Sequence, residues 1–260
     1  MATSPRLGAA AHAPRPVSPA RSAERSPVRA VQRAFELLGL LGDDPESATL
    51  SELARRSGLP TSTAARLLAT LEATEFVQRE RDGRYVPGLR LAQLGLGALR
   101  RSRLYDLAEP HLHRLVDATS ETANLAVRAS ATEWIYLRQV MSRQAIRYTS
   151  WIGRMLPLGS TAVGAALQGE VGSEGFVVRR GGLEPDVTSV AAPVRDADGA
   201  VAGALNIVGP SYRIDERAAN RFGRSVAEQA RLLSAQLSMS AQREALPALA
   251  LQASSKETRT

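Results

Sequence analysis

The chain has no cysteine among its 260 residues. That excludes disulfides, thiolate metal sites and a thiol nucleophile, and it fits a cytoplasmic setting. It also has no uninterrupted apolar run of about 18 residues and no apolar core near its start, so neither a membrane span nor secretion is expected. Histidine is scarce. Of the three, His12 lies in a low-complexity stretch, and His111 and His113 stand two apart on an expected helix. They face different ways there, so they are read as surface or partly packed imidazoles rather than metal ligands. Gly159-Ser160-Thr161 precedes a helix, but neither a GxSxG turn nor a phosphate loop surrounds it. With no nucleophile and base in sight, no enzyme chemistry, metal or cofactor is expected.

Lysine is almost missing too, Lys256 being the only one, so the net charge of +7 is carried by arginine. Its distribution restrains a reading from charge alone. Residues 28 to 97 hold nine Arg against nine acidic residues, and the excess lies in the flanks. Any nucleic-acid reading therefore rests on where the charges sit.

What is present is most informative between Ser51 and Leu71. Leu53, Ala54, Leu59, Ala64, Leu67, Leu68 and Leu71 place two short helices on one core. Gly58 supplies a positive-φ corner and Pro60 opens the next helix. The second helix then leaves Thr61, Ser62, Thr63, Ala65, Arg66, Ala69 and Thr70 outward. Small hydroxyls with one guanidinium fork suit a DNA major groove. The same spacing also fits an ordinary surface hairpin of helices. Two alternating runs, Phe76–Arg79 and Arg84–Val86, flank Glu80-Arg81-Asp82-Gly83, a strong hairpin signal. That hairpin reads as a wing tipped by Arg79, Arg81 and Arg84, set to lie along the DNA backbone or in the minor groove beside the helix.

Several segments together resemble the isocitrate-lyase-regulator (IclR) family. They are Val28–Ala34, GLPTSTAARLLATL, Arg84–Leu91, Ser120–Ala126, Gly153–Leu158, Ala191–Val194 and Ala204–Pro210, in that order, and the likeness covers most of residues 28 to 240. The resemblance implies an α+β architecture: an N-terminal winged helix-turn-helix joined by a linker helix to a GAF-like α/β effector-binding domain. It implies a transcriptional regulator that binds operator DNA as a homodimer or dimer of dimers, with affinity set by a small molecule.

The expected organisation is a disordered arm over 1–27, the DNA-binding domain over 28–88, a linker helix over 89–103, the effector domain over 104–240 and a loose tail over 241–260. The first helix buries Val31, Ala34, Phe35, Leu38 and Leu41. The leucines of 89–99 either contribute to dimerisation or cap the first domain's core. A helix over 104–119 carries Pro110 as a kink or break. Strands follow at 122–127, 134–140, 146–150, 176–179, 189–194 and 201–208, with a short helix at 161–167 and a closing helix through Phe222, Val226, Ala230, Leu233 and Leu237.

By the resemblance, the effector pocket is walled by the segment Met155–Ala162, including Met155, Leu158, Gly159, Ser160 and Thr161, and by strands carrying Asn124, Ser189 and Asn206. A helix start at Gly159-Ser160-Thr161 suits a carboxylate, although ordinary capping explains it as well. Where relatives tend to be acidic, this chain has Arg179-Arg180, of which strand alternation lets at most one reach the pocket. A small organic acid is thus the expected effector. The chain also departs from the family: the usual helical insertion shrinks to Gln168–Glu174, and neither the common Lys near Val163–Ala166 nor the Cys at Ser189 is present. Two other readings remain open here: a ligand-independent repressor whose shortened domain only dimerises, and a small-molecule-binding or hydrolytic domain using the helix-turn-helix for protein contacts.

Overall fold

The computed structural model describes residues 28–42, 47–147 and 151–257. The expected arm and residues 43–46, 148–150 and 258–260 lie outside the described residues.

Helices α1 (Arg29–Gly42), α2 (Leu50–Ser57) and α3 (Thr61–Ala73) and strands β1 (Val77–Arg79) and β2 (Tyr85–Pro87) form the first domain. Its core centres on Leu37, Leu53 and Leu68, each fully buried, and each such leucine contributes about 1.5–3 kcal/mol. The face that α1 buries is rotated from the expected one. Leu37, Leu38 and Leu41 turn inward, whereas Val31 and Phe35 are 52% and 63% exposed. Helix α2 starts on a capping box in which Thr49 and Glu52 each satisfy the other's backbone N–H. It ends at Gly58, whose φ of 66° is the left-handed corner the sequence predicts. Pro60 stands one place earlier than expected, as the N-cap of α3. The wing returns through Gly88, where a Cβ would lie 2.2 Å from the carbonyl oxygen of Glu75, so the hairpin can close on the end of α3 only with glycine.

Helix α4 (Leu89–Leu99) buries none of its residues, although it is mostly apolar. Of its leucines, only Leu91 packs against the first domain's core.

The second domain is one antiparallel sheet in the order β5-β4-β3-β8-β7-β6. Its strands are β3 (Thr122–Arg128), β4 (Glu133–Val140), β5 (Met155–Pro157), β6 (Val177–Arg180), β7 (Val187–Arg195) and β8 (Val201–Pro210). Helices α5 (Arg103–Thr119) and α7 (Glu216–Glu257) cover one face, meeting Leu125, Val190, Leu205 and Ile207. The short α6 (Ala162–Gln168) covers the other, over Ala126, Trp134, Tyr136, Ala191 and Ala204. Period-two alternation splits β8 between the two layers: Leu205 and Ile207 face the long helices, Ala204 and Asn206 the other way. Both layers are apolar, so β8 is buried along nearly its whole length.

Four expectations need correction. The strand placed at 146–150 is absent at Ile146 and Arg147, and the edge strand is β5, nine residues further on from Ile146 by chain position. Helix α5 runs unbroken through Pro110. The segment expected as a loose tail continues α7 to Glu257, in keeping with its content of Ala, Leu, Gln and Glu, all good helix formers. His111 is fully buried, its Nδ1 2.8 Å from Gln229 Oε1 and its Nε2 3.2 Å from Gln236 Oε1, so it ties α5 to α7.

Candidate nucleic-acid interface and effector pocket

The packing of Ala64, Leu68 and Leu71 against α1 and α2 sets the roll of α3. Thr61, Ser62 and Arg66 are left exposed and Thr63 half-buried. An open groove of about 570 Å³ runs between α3 and α1, bordered by Thr63, Arg66 and Thr70 on one side and Arg29 and Arg33 on the other. The sequence reading did not connect these last two arginines with α3. Their i, i+4 spacing on α1 was the available signal.

In the wing, Arg81 is exposed. Arg79 lies with its guanidinium 5.6 Å from the centre of the Tyr85 ring and donates to the carbonyl of Gly83 at 3.3 Å. Arg84 departs from its expected place at the wing tip. Its Nε donates to the carbonyl and hydroxyl of Ser47 at 2.9 and 2.8 Å, and its Nη2 is 3.5 Å from Glu52. The side chain follows the β2 pairing of Tyr85 with Ala48 back into the domain and clamps the segment before α2. Glu52 thereby sits among the backbone N–H of Thr49, the Thr49 hydroxyl, Arg84 and Arg55, which hold its carboxyl below the ordinary 4.5.

In the second domain, the face under α6 encloses a small cavity of about 30 Å³, bounded by Trp134, Tyr136, Arg179, Leu183 and Ser189 among others. That is room for a water molecule or two. Trp134 and Tyr136 meet edge to face at 4.6 Å, and the indole N–H donates to the carbonyl of Pro157 at 2.9 Å. The two aromatics stand two residues apart on β4 and so share one face, but the sequence expectations did not include them in the pocket. Of the expected lining, Ser189 and Thr161 border the cavity and Leu158 is buried in the cluster beside it. Gly159 and Ser160 are exposed, and Met155 points outward while its neighbour Leu156 turns in. A strand's alternation decides that outcome. Thr161 Oγ1 accepts from the N–H of Gly164 at 2.8 Å, so the helix start carries an ordinary cap. The two arginines separate as strand parity requires: Arg179 lines the cavity, and Arg180 donates to Thr188 Oγ1 at 3.3 Å on the opposite face.

Below the cavity lies a buried polar layer. Asn206 Nδ2 donates to Tyr136 Oη and Ser189 Oγ, both at 3.1 Å. Gln139 Nε2 donates to Asn124 Oδ1 at 2.7 Å. Both asparagines are fully buried. Among the described residues, no group of three or more His, Asp or Glu is placed to hold a metal, and no helix is long and apolar enough to cross a membrane.

A winged helix-turn-helix followed by a helix and a sheet domain with an internal cavity is the architecture of a two-domain transcriptional regulator. The profile of the IclR helix-turn-helix domain matches residues 30–81. That of the bacterial transcriptional regulator IclR C-terminal domain matches two stretches, 96–170 and 169–235, which meet at Gly169-Glu170. The chain belongs to the IclR family.

The acetate operon repressor of Salmonella typhimurium is 32% identical over 149 residues, covering 56% of this chain and 54% of that protein. The alignment thus spans about half the length of that relative. The transcriptional repressor AllR of Escherichia coli is 24% identical over 249 residues, covering 82% of this chain and 92% of that protein. Among solved structures, a regulator from Alicyclobacillus acidocaldarius superposes with a TM-score of 0.69 at 25% identity, over 80% of this chain and 98% of that one. An IclR homologue from Microbacterium hydrocarbonoxydans, in complex with 4-hydroxybenzoate, does so with a TM-score of 0.67 at 25% identity over the same shares.

Proposed function

We propose that this protein is a cytoplasmic transcriptional repressor that reads operator DNA as a dimer through α3 and the wing, and that a small organic acid bound under α6 changes its affinity for DNA. One observation carries the DNA reading: the core holds α3 so that Thr61, Ser62 and Arg66 share the exposed face, beside Arg29 and Arg33. A guanidinium among small hydroxyls can reach base edges in a major groove and phosphates beside it. Arg79 and Arg81 add backbone contacts from the wing. Arg84 serves the fold of the domain instead.

The dimer is supported by α4, where Leu89 and Leu96 lie seven residues apart on one helical face and are exposed. The acid is supported by Arg179 at the cavity and by the homologue that holds 4-hydroxybenzoate. A cavity of about 30 Å³ cannot contain an organic acid, so binding requires the Gly182-Leu183 turn, which packs over the start of α6, to give way.

The test is a mobility-shift assay on the DNA upstream of the protein's own and neighbouring genes, repeated across a panel of carboxylic acids and neutral analogues. A specific shift that one or more acids weaken or strengthen is expected. A shift that no acid alters would instead favour a ligand-independent repressor.

A further inference from the structure

Two buried polar atoms in the sheet have no hydrogen-bond partner: Asn124 Nδ2 and Asn206 Oδ1. An unsatisfied buried donor or acceptor costs about 1–3 kcal/mol, so two at one place need a physical account. Each amide is held by one end only. Gln139 clamps Asn124 by its oxygen, which presents the NH2 as a free donor. Tyr136 and Ser189 clamp Asn206 by its nitrogen, which presents the carbonyl as a free acceptor. The two residues are direct cross-strand partners on β3 and β8, and such pairs have Cβ atoms about 4.5–5.5 Å apart. A single oxygen that both accepts and donates, as a hydroxyl or a water does, would satisfy both atoms. Tyr136 and Ser189, which hold Asn206, are themselves cavity residues.

We propose that Asn124 and Asn206 form a hydroxyl-reading pair at the inner end of the effector pocket, so that the ligand class is hydroxylated carboxylic acids. This rests on the acid-effector reading above. The hydroxyl accepts from Asn124 Nδ2 and donates to Asn206 Oδ1, displacing a water that does the same in the free protein. Arg179 meets the carboxylate at the cavity's rim. A site built to bond a hydroxyl discriminates strongly against an analogue that lacks it, because its own polar groups are then left unpaired.

The experiment is calorimetry on the full chain with three matched pairs: lactate and propionate, 4-hydroxybutyrate and butyrate, and 4-hydroxybenzoate and benzoate. These pairs place the hydroxyl at increasing distance from the carboxylate. In at least one pair the hydroxy acid is expected to bind about ten-fold tighter or more. The preference should collapse in Asn124→Leu and Asn206→Leu, checked for folding by their melting curves. If acids bind but both members of each pair bind equally, or if the preference survives in both variants, the hydroxyl assignment is overturned and the acid-effector reading stands. If no member of any pair binds the folded protein, the acid-effector reading falls and takes this assignment with it. The wild-type comparison decides the matter even if neither variant folds.

Discussion

Arg66 and Arg84 are the same residue type, eighteen positions apart, and their surroundings give them different work. Arg66 is exposed on α3. Arg66→Ala should weaken specific operator binding by roughly 1–3 kcal/mol if the contact is to a base, with an unchanged melting curve. A mobility-shift titration at matched salt checks this, and wild-type affinity in the variant would remove Arg66 from the interface. Arg84 is tied to Ser47 and Glu52, so Arg84→Ala should lower the stability of the first domain by about 1 kcal/mol and leave the salt dependence of DNA binding as it was. A flatter salt dependence would return Arg84 to the phosphate backbone. Glu52 makes a pH prediction. Its folded-state pKa is depressed, first by the Thr49 backbone N–H and then by its hydroxyl. The contribution is therefore present above the ordinary 4.5 and lost as pH falls through the lower folded value. Denaturation of wild type and Glu52→Gln should differ near neutral pH and converge in acid; a constant offset at all pH values would contradict it. At this scale the sequence was legible where backbone geometry demands a residue type, as at Gly58. It was not legible where a long flexible side chain chooses among partners, as Arg84 does, or where one step of strand parity decides, as at Met155.

The elements owe their order to pins as much as to apolar faces. Glu121, nearly buried just before β3, receives two hydrogen bonds at 2.7 and 2.8 Å from Arg213, between β8 and α7, and Arg213 also donates to the carbonyl of Ile146 at 3.0 Å. Arg213→Ala should leave that carboxylate buried without its partner and destabilise the second domain by roughly 3 kcal/mol. Glu121→Gln should be milder, and chemical denaturation of the two variants would show it; equal and small losses would mean that the pair is not a pin. The helices and most strands of this domain were legible from apolar periodicity. The edge strand β5 was not, because three residues carry too little pattern, and the expected face of α1 was rotated because its apolar residues cover a wider arc than the core takes up. Those left over, Val31 and Phe35, are exposed.

For the whole molecule, the reading joins two recognitions: DNA at α3 and an acid under α6. The two-domain plan was visible in the sequence, since it follows from the order and spacing of motifs. Asn124 and Asn206 were expected at the pocket, but their bonds to Gln139 and Tyr136 were not legible, because the layer assembles across three strands. If α4 contributes to the dimer, Leu96→Glu should shift sedimentation toward the monomer and weaken operator binding with it. An unchanged dimer would place the interface elsewhere. Two-fold symmetry then presents two copies of α3, so the operator should be a pseudo-palindrome with half-sites near one helical turn apart or a multiple of it. The most direct measurement is a binding titration on that operator and on the same DNA with about five base pairs inserted between the half-sites, which places one half-site on the opposite side of the duplex. Paired recognition through α3 predicts a sharp loss of affinity on insertion, and equal affinity for the two DNAs would contradict it.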